Sequence, residues 1–158
     1  MIQDSLRTAR IEVEHLCDLS IELEPAQLVP TPRGARATYI VASGRVDGPA
    51  LSGEVLPGGG DWVLFGDDGV GRLDVRATIR AESGALVHLE IGGIADLRGG
   101  AAERLGAGEH LPWEEMYVRC TARLETSDEE LSWLSSIVVV GVLELGPDHV
   151  DYRLFRVL

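Results

Sequence analysis

Apolar and polar residues alternate along most of this chain, and a period of two marks half-buried β-strands. From Ala9 to Leu23, Ile11, Val13, His15 and Cys17 share one parity against Glu12, Glu14 and Leu16, and Ile21 and Leu23 resume the pattern after a slip. Further on, Leu73, Val75, Ala77 and Ile79 oppose Asp74, Arg76, Thr78 and Arg80. Val87, Leu89 and Ile91 oppose Leu86, His88 and Glu90, and Met116, Val118, Cys120, Ala122 and Leu124 oppose Tyr117, Arg119, Thr121 and Arg123. Shorter strands are expected from Ala35 to Ala42, with Tyr39 and Val41 on one face, from Leu51 to Leu56 and from Trp62 to Phe65. Ile137 to Leu145 is a nearly continuous apolar strand, and Val150 to Leu158 ends the chain as another.

Turn chemistry separates these runs. Asp47-Gly48-Pro49, Pro57-Gly58-Gly59-Gly60, Asp67-Asp68-Gly69, Glu82-Ser83-Gly84 and Gly146-Pro147-Asp148 are the strongest signals, because glycine reaches positive φ and proline cannot continue a ladder. Pro25, Pro30, Pro32 and Gly34 predict a turn or an excursion at a sheet edge. Gly92-Gly93 is expected to end its strand. Residues 94–112 predict an irregular loop with one helical turn, and long loops in compact domains often serve as lids or rims. Ser127, with Glu130 three residues on, predicts a capped turn.

Tight turns between successive strands imply antiparallel pairing, and roughly nine or ten strands in one small domain need closure to hide their edges. The expected fold is therefore all-β, an antiparallel β-barrel, closed or nearly closed, formed by residues 1–158 as a single domain. A two-sheet β-sandwich is the alternative. A barrel of this size is filled by side chains or holds one small ligand.

Composition narrows the partners. The 158 residues, 45% of them hydrophobic, are enough for one substantial core. Fourteen basic against 26 acidic residues give a net charge of −12, a field that repels a phosphate backbone, so nucleic acid is not an expected partner. No apolar run has the length of a membrane span or the form of a signal peptide. The expectation is a cytoplasmic protein with no membrane partner. Cys17 and Cys120 form neither a disulfide framework nor a CxxC motif. No acidic cluster has calcium-loop spacing, and nucleotide loops, nucleophile elbows and zinc motifs are absent. Neither a cofactor nor a metal is expected.

The stretch GRVDGPALSGEVLPGGGDW, from Gly44 to Trp62, resembles the signature of a bacterial and fungal family known as domain of unknown function 3237. Supporting pieces follow the same order: TPRGAR from Thr31, DDGVGRLDVRATI from Asp67, ESGALVHLEIGG from Glu82, YVRCTARLET from Tyr117, SWL from Ser132 and the VDYRLFRV ending from Val150. The resemblance covers nearly the whole chain and implies a compact β-barrel. It implies little chemistry. The chain departs from the family pattern at Ser43-Gly44, at Ser135 and at Val118-Arg119-Cys120.

Several residues are candidates for chemistry. Asp61 and Trp62 follow three glycines, which suits a general base beside a stacking wall at a barrel mouth, or else a turn aspartate beside a core tryptophan. Asp74 and Arg119 lie mid-strand on the polar parity. Were that parity inward, the two would meet Asp61 in a dry hollow and polarise a carbonyl or carboxylate; were it outward, they would be surface charges. Asp61, Asp74 and Arg119 are the expected catalytic residues. Tyr39, Trp62, Tyr117 and Trp133 are the expected ligand-binding aromatics. His88 and Glu90 share a strand face but have no third ligand at motif spacing.

The expected partner is a small-molecule ligand or substrate. The leading reading is a cofactor-independent acid–base enzyme, such as a cyclase, isomerase or lyase, acting on a carbonyl-containing or aromatic metabolite. Its rivals are a carrier for an apolar metabolite and a structural module that forms a homodimer or larger homo-oligomer, for example through the apolar strand Ile137 to Leu143.

Overall fold

In a computed structural model, which describes residues 3–158, ten strands form one antiparallel sheet that closes on itself. The strands are β1 (Val13–Leu23), β2 (Gln27–Thr31), β3 (Gly34–Asp47), β4 (Gly53–Val55), β5 (Gly60–Gly66), β6 (Val70–Ala81), β7 (Leu86–Asp96), β8 (Tyr117–Glu125), β9 (Val139–Leu145) and β10 (His149–Val157). Eight of them make the ring. It runs from β1 through β10, β9, β8, β7, β6, β5 and β3, and the pairing of β3 with β1 closes it. β2 and β4 are extra strands laid along β3. The fold is a closed eight-stranded barrel, as the strand pattern predicts, and not a two-sheet sandwich.

Within β6, β7 and β8 the alternation separates the two faces correctly. On β6, Val75, Ala77, Ile79 and Ala81 are buried while Arg72, Asp74, Arg76 and Arg80 are exposed. The slip in β1, expected between Cys17 and Ile21, lies earlier, as a bulge between His15 and Cys17. It buries Leu16 and Cys17 in succession, since the extra residue of a bulge breaks the two-residue rhythm. A second irregularity, between Glu22 and Leu23, skips Ala42 of β3. Tyr39 and Val41 therefore point inward on one parity and Val46 on the other.

Three local expectations are corrected. Gly92-Gly93 does not end β7, which continues to Asp96. A Cβ on Gly93 would stand 2.5 Å from the Arg119 carbonyl oxygen, so this glycine lets β7 and β8 stay paired. The proline-rich segment after Pro25 is a true strand, β2, with Pro30 inside it. It lies exposed along β3, where a missing donor costs least. Asp128, not Ser127, caps the turn before Ser132: its Oδ1 accepts from the amides of Glu130 and Leu131, both at 3.1 Å.

One half of the barrel is filled. Leu16, Leu51, Ile79, Val87, Leu89, Leu124, Leu134 and Leu154 are each 3% exposed or less and close that end. The opposite end is hollow. It is covered by the β7–β8 connection, where the short helix α2 (Ala101–Gly106), the second after α1 (Asp4–Arg7), rests with Ala101 buried. The helix follows Gly99 and Gly100, both at positive φ. Leu111, 1% exposed, ties the far end of this segment to β9 by reciprocal backbone hydrogen bonds with Leu145, at 2.8 and 3.2 Å. No helix among the described residues is long and apolar enough to cross a membrane.

Candidate functional site

The hollow end encloses about 590 Å³, within the range of small-molecule sites. Its wall is mainly aliphatic and aromatic: Ile21, Leu23, Val41, Val63, Phe65 and Leu73 contribute from the strands, and Leu105 of α2 from above. Four ionisable side chains break this surface: Asp61, Tyr39, Tyr152 and, toward the β9–β10 turn, His149.

Asp61 is placed by the Pro57–Gly60 loop. Gly58 turns the chain at φ +99°, and a Cβ on Gly59 would sit 2.5 Å from the Arg76 carbonyl oxygen. The chain can therefore leave β4 and rejoin the same gap between β3 and β6 as β5. On β5, Asp61, Val63 and Phe65 share the inward parity. Asp61 lies directly across from Tyr39 of β3, a pairing that sets the two Cβ atoms about 5 Å apart. Asp61 Oδ1 accepts a hydrogen bond from the Asp74 amide at 2.9 Å.

Among the described residues, Asp61 has no second side-chain or backbone donor, and the hydroxyls of Tyr39 and Tyr152 have no protein partner. Among the described residues no side-chain oxygen or nitrogen is both sealed from solvent and unpaired, so these oxygens open onto the cavity. Burial pushes the Asp61 carboxyl up to about 6; the Asp74 amide pulls it down and the Asp74 carboxylate adds to the rise. The phenols of Tyr39 and Tyr152 are both raised, first by burial and then by the charge of Asp61. His149 is raised as well, chiefly by its hydrogen bond to Asp148 at 2.9 Å, and its ring stacks on His110 at 5.6 Å between centroids.

The other expected site residues are dispersed. Asp74 points outward and pairs with Arg76 at 2.7 Å, meeting the site only through its backbone amide. Arg119 is also on the outer face, its guanidinium 4.9 Å from the Tyr117 ring centroid and 5.6 Å from that of Trp113. The three expected catalytic residues therefore do not converge. The reason is elementary: the aliphatic parity of β6 and β8 took the interior, because unpaired charges there are costly. Of the four expected aromatics, only Tyr39 lines the cavity. Trp62 points outward and is 39% exposed, Tyr117 is 58% exposed, and Trp133 packs beneath Arg156 at 5.7 Å. His88 and Glu90 are exposed, 3.4 Å apart.

Tyr152 and His149 were not among the expected residues. Tyr152 shares its parity with the buried Val150 and Leu154, so the alternation rule alone would have placed it inside. His149 carries no such signal. It is set by the turn that starts β10.

The molecule is thus an all-β barrel, closed at one end, whose cavity is apolar except for one acid and a few polar rings. The chain belongs to the family described as Protein of unknown function (DUF3237), whose model matches residues 11–157. It is 30% identical over 128 residues to the UPF0311 protein RPA1785 of Rhodopseudomonas palustris, covering 79% of this chain and 82% of that protein. The crystal structure of RPA1785, a conserved protein of unknown function, superposes with a TM-score of 0.91 at 24% identity over 96% of this chain and all of that one. A protein from Penicillium herquei described as an enzyme has the same fold, with a TM-score of 0.69, 18% identity and 96% and 98% coverage.

Proposed function

We propose that this barrel binds a small, largely apolar metabolite and moves a proton on it without a cofactor, with Asp61 as the acid–base group. The observation that carries this reading is the Asp61 carboxyl itself. It has one oxygen pinned by a backbone amide and the other open to an apolar cavity, directly across from Tyr39. Proton transfer is most effective when the group's affinity for protons is near the working pH, and burial moves Asp61 in that direction. In the forward step the free Asp61 oxygen takes a proton from a carbon or hydroxyl of the ligand. The electron pair left behind moves onto a conjugated or carbonyl oxygen, and the Tyr39 and Tyr152 hydroxyls supply hydrogen bonds to that charge. Return of the same proton to a different atom completes an isomerisation, or a cyclisation if the new nucleophile closes a ring. This reading keeps Asp61 and Tyr39 from the expected set, replaces Asp74 and Arg119, and adds Tyr152.

A carrier role is the second reading, favoured by the aliphatic character of the wall. The two separate in heavy water. A metabolite captured from a small-molecule extract and identified by mass spectrometry should exchange a carbon-bound hydrogen for deuterium on the wild-type protein. Asp61→Asn should slow that exchange by about a hundredfold or more while still retaining the ligand. Equal rates in both proteins would remove Asp61 from the chemistry and leave the carrier.

A further inference from the structure

We infer that the ligand of this cavity is uncharged: a neutral carbonyl or hydroxyl compound, and not a carboxylate, a phosphate ester or an ammonium. The inference rests on the reading that the cavity is the binding site, and it adds the charge class that the site accepts. All fourteen basic side chains of the chain are arginines, and none lines the cavity. Those on the strands around it are directed away: Arg72 pairs with Asp68 at 2.7 Å, Arg76 with Asp74, and Arg153 with Asp18 at 2.8 Å, all on the outer surface.

Inside, no arginine stands beside Asp61, and the Asp74 carboxylate adds to the rise of its proton affinity. The single basic group on the wall is His149, and its charge is already met by Asp148 at 2.9 Å and Asp151 at 3.9 Å. His110, stacked on His149, is itself held by Glu144 at 3.0 Å. An anion entering this hollow would lose its hydration and meet no counter-charge, which is the most costly arrangement available to a buried group.

An ammonium fares little better. A site for a cation needs a carboxylate held firmly ionised, commonly by several donors or within an aromatic cage. Asp61 accepts from one amide alone, fewer donors than such a site uses. What the wall does offer is a proton acceptor and two phenolic donors within a mainly apolar surface. That combination matches one oxygen function on a neutral hydrocarbon skeleton.

The test uses three probes of one shape: 2-naphthol, 2-naphthoate and 2-naphthylmethylamine. Each is titrated calorimetrically into the intact protein at pH 7.5. The naphthol should bind, with the naphthoate and the amine weaker by about tenfold or more. In Asp61→Asn the naphthoate deficit relative to naphthol should narrow by at least about threefold. Asp74→Asn, on the outer surface, should preserve the wild-type order. Naphthoate or amine binding as tightly as naphthol to the wild type would overturn the charge assignment, as would an unaltered deficit in Asp61→Asn. Either result leaves Asp61 proton transfer standing, because the deuterium experiment decides that separately. Failure of all three probes to bind at millimolar concentration would remove both readings of the cavity.

Discussion

Asp61 shows how one side chain can be predicted for the right reason while its companions are misplaced. The glycines before it signalled a special backbone, and Gly58 and Gly59 do steer β5 so that the carboxyl enters the barrel. Its buried state links it to stability. The folded protein holds this proton up to about pH 6, against 3.8 for an ordinary aspartate. The contribution is therefore complete below about pH 4 and is lost as the pH rises through 6. Asp61→Asn keeps an oxygen for the Asp74 amide and removes the buried charge. It should raise the melting temperature at pH 7.5, by the equivalent of about 1–3 kcal/mol, and the gain should vanish near pH 4. Thermal scans of both proteins across that interval are the check. Tyr39 was legible because it shares parity with Val41. Tyr152 was equally legible by the same rule, from Val150 and Leu154. Asp74 and Arg119 were misjudged because parity separates two faces without naming the inner one; the cost of burying them decides it.

At the level of elements, period-two patterning placed most strands, and the errors gather where a backbone device interrupts the rhythm. The bulge at Leu16 and the skipped Ala42 each reverse a strand's inward parity; the pattern signals a slip in β1 but places it too late, and gives no sign of the one in β3. Gly92-Gly93 looked like punctuation, but Gly93 is a site of close approach between strands. Gly34 is the opposite case, a true turn residue. It sits at φ +120°, and a Cβ there would lie 2.0 Å from the Phe65 carbonyl oxygen. Gly34→Ala should therefore loosen the β2–β3 turn and the end of β5 together. A loss of about 1–3 kcal/mol, read from urea denaturation, is expected.

Across the whole molecule, closure was legible from the number of short strands and tight turns, because an open sheet of that size would leave long edges. The hollow was not. It opens among Leu23, Phe65 and Leu105 while the opposite half packs solid, and alternation along single strands does not give the space left between them. The expected irregular loop does lie over the mouth, carrying α2 between Gly99-Gly100 and Gly108, all at positive φ. Hydrogen exchange should report rapid opening of residues 98–110 relative to β7 and β8, and 2-naphthol should slow exchange in that segment alone. Uniform protection, with or without the probe, would show that ligands enter elsewhere.

The solid end of the barrel has a kinetic consequence. With Leu16, Leu89, Leu124 and Leu154 blocking one side, the chamber is a cul-de-sac, and whatever departs must use the door by which it came. Two reactants cannot pass each other in such a space. Turnover here should follow single-substrate rate laws, and its product should compete with fresh substrate for the same vestibule.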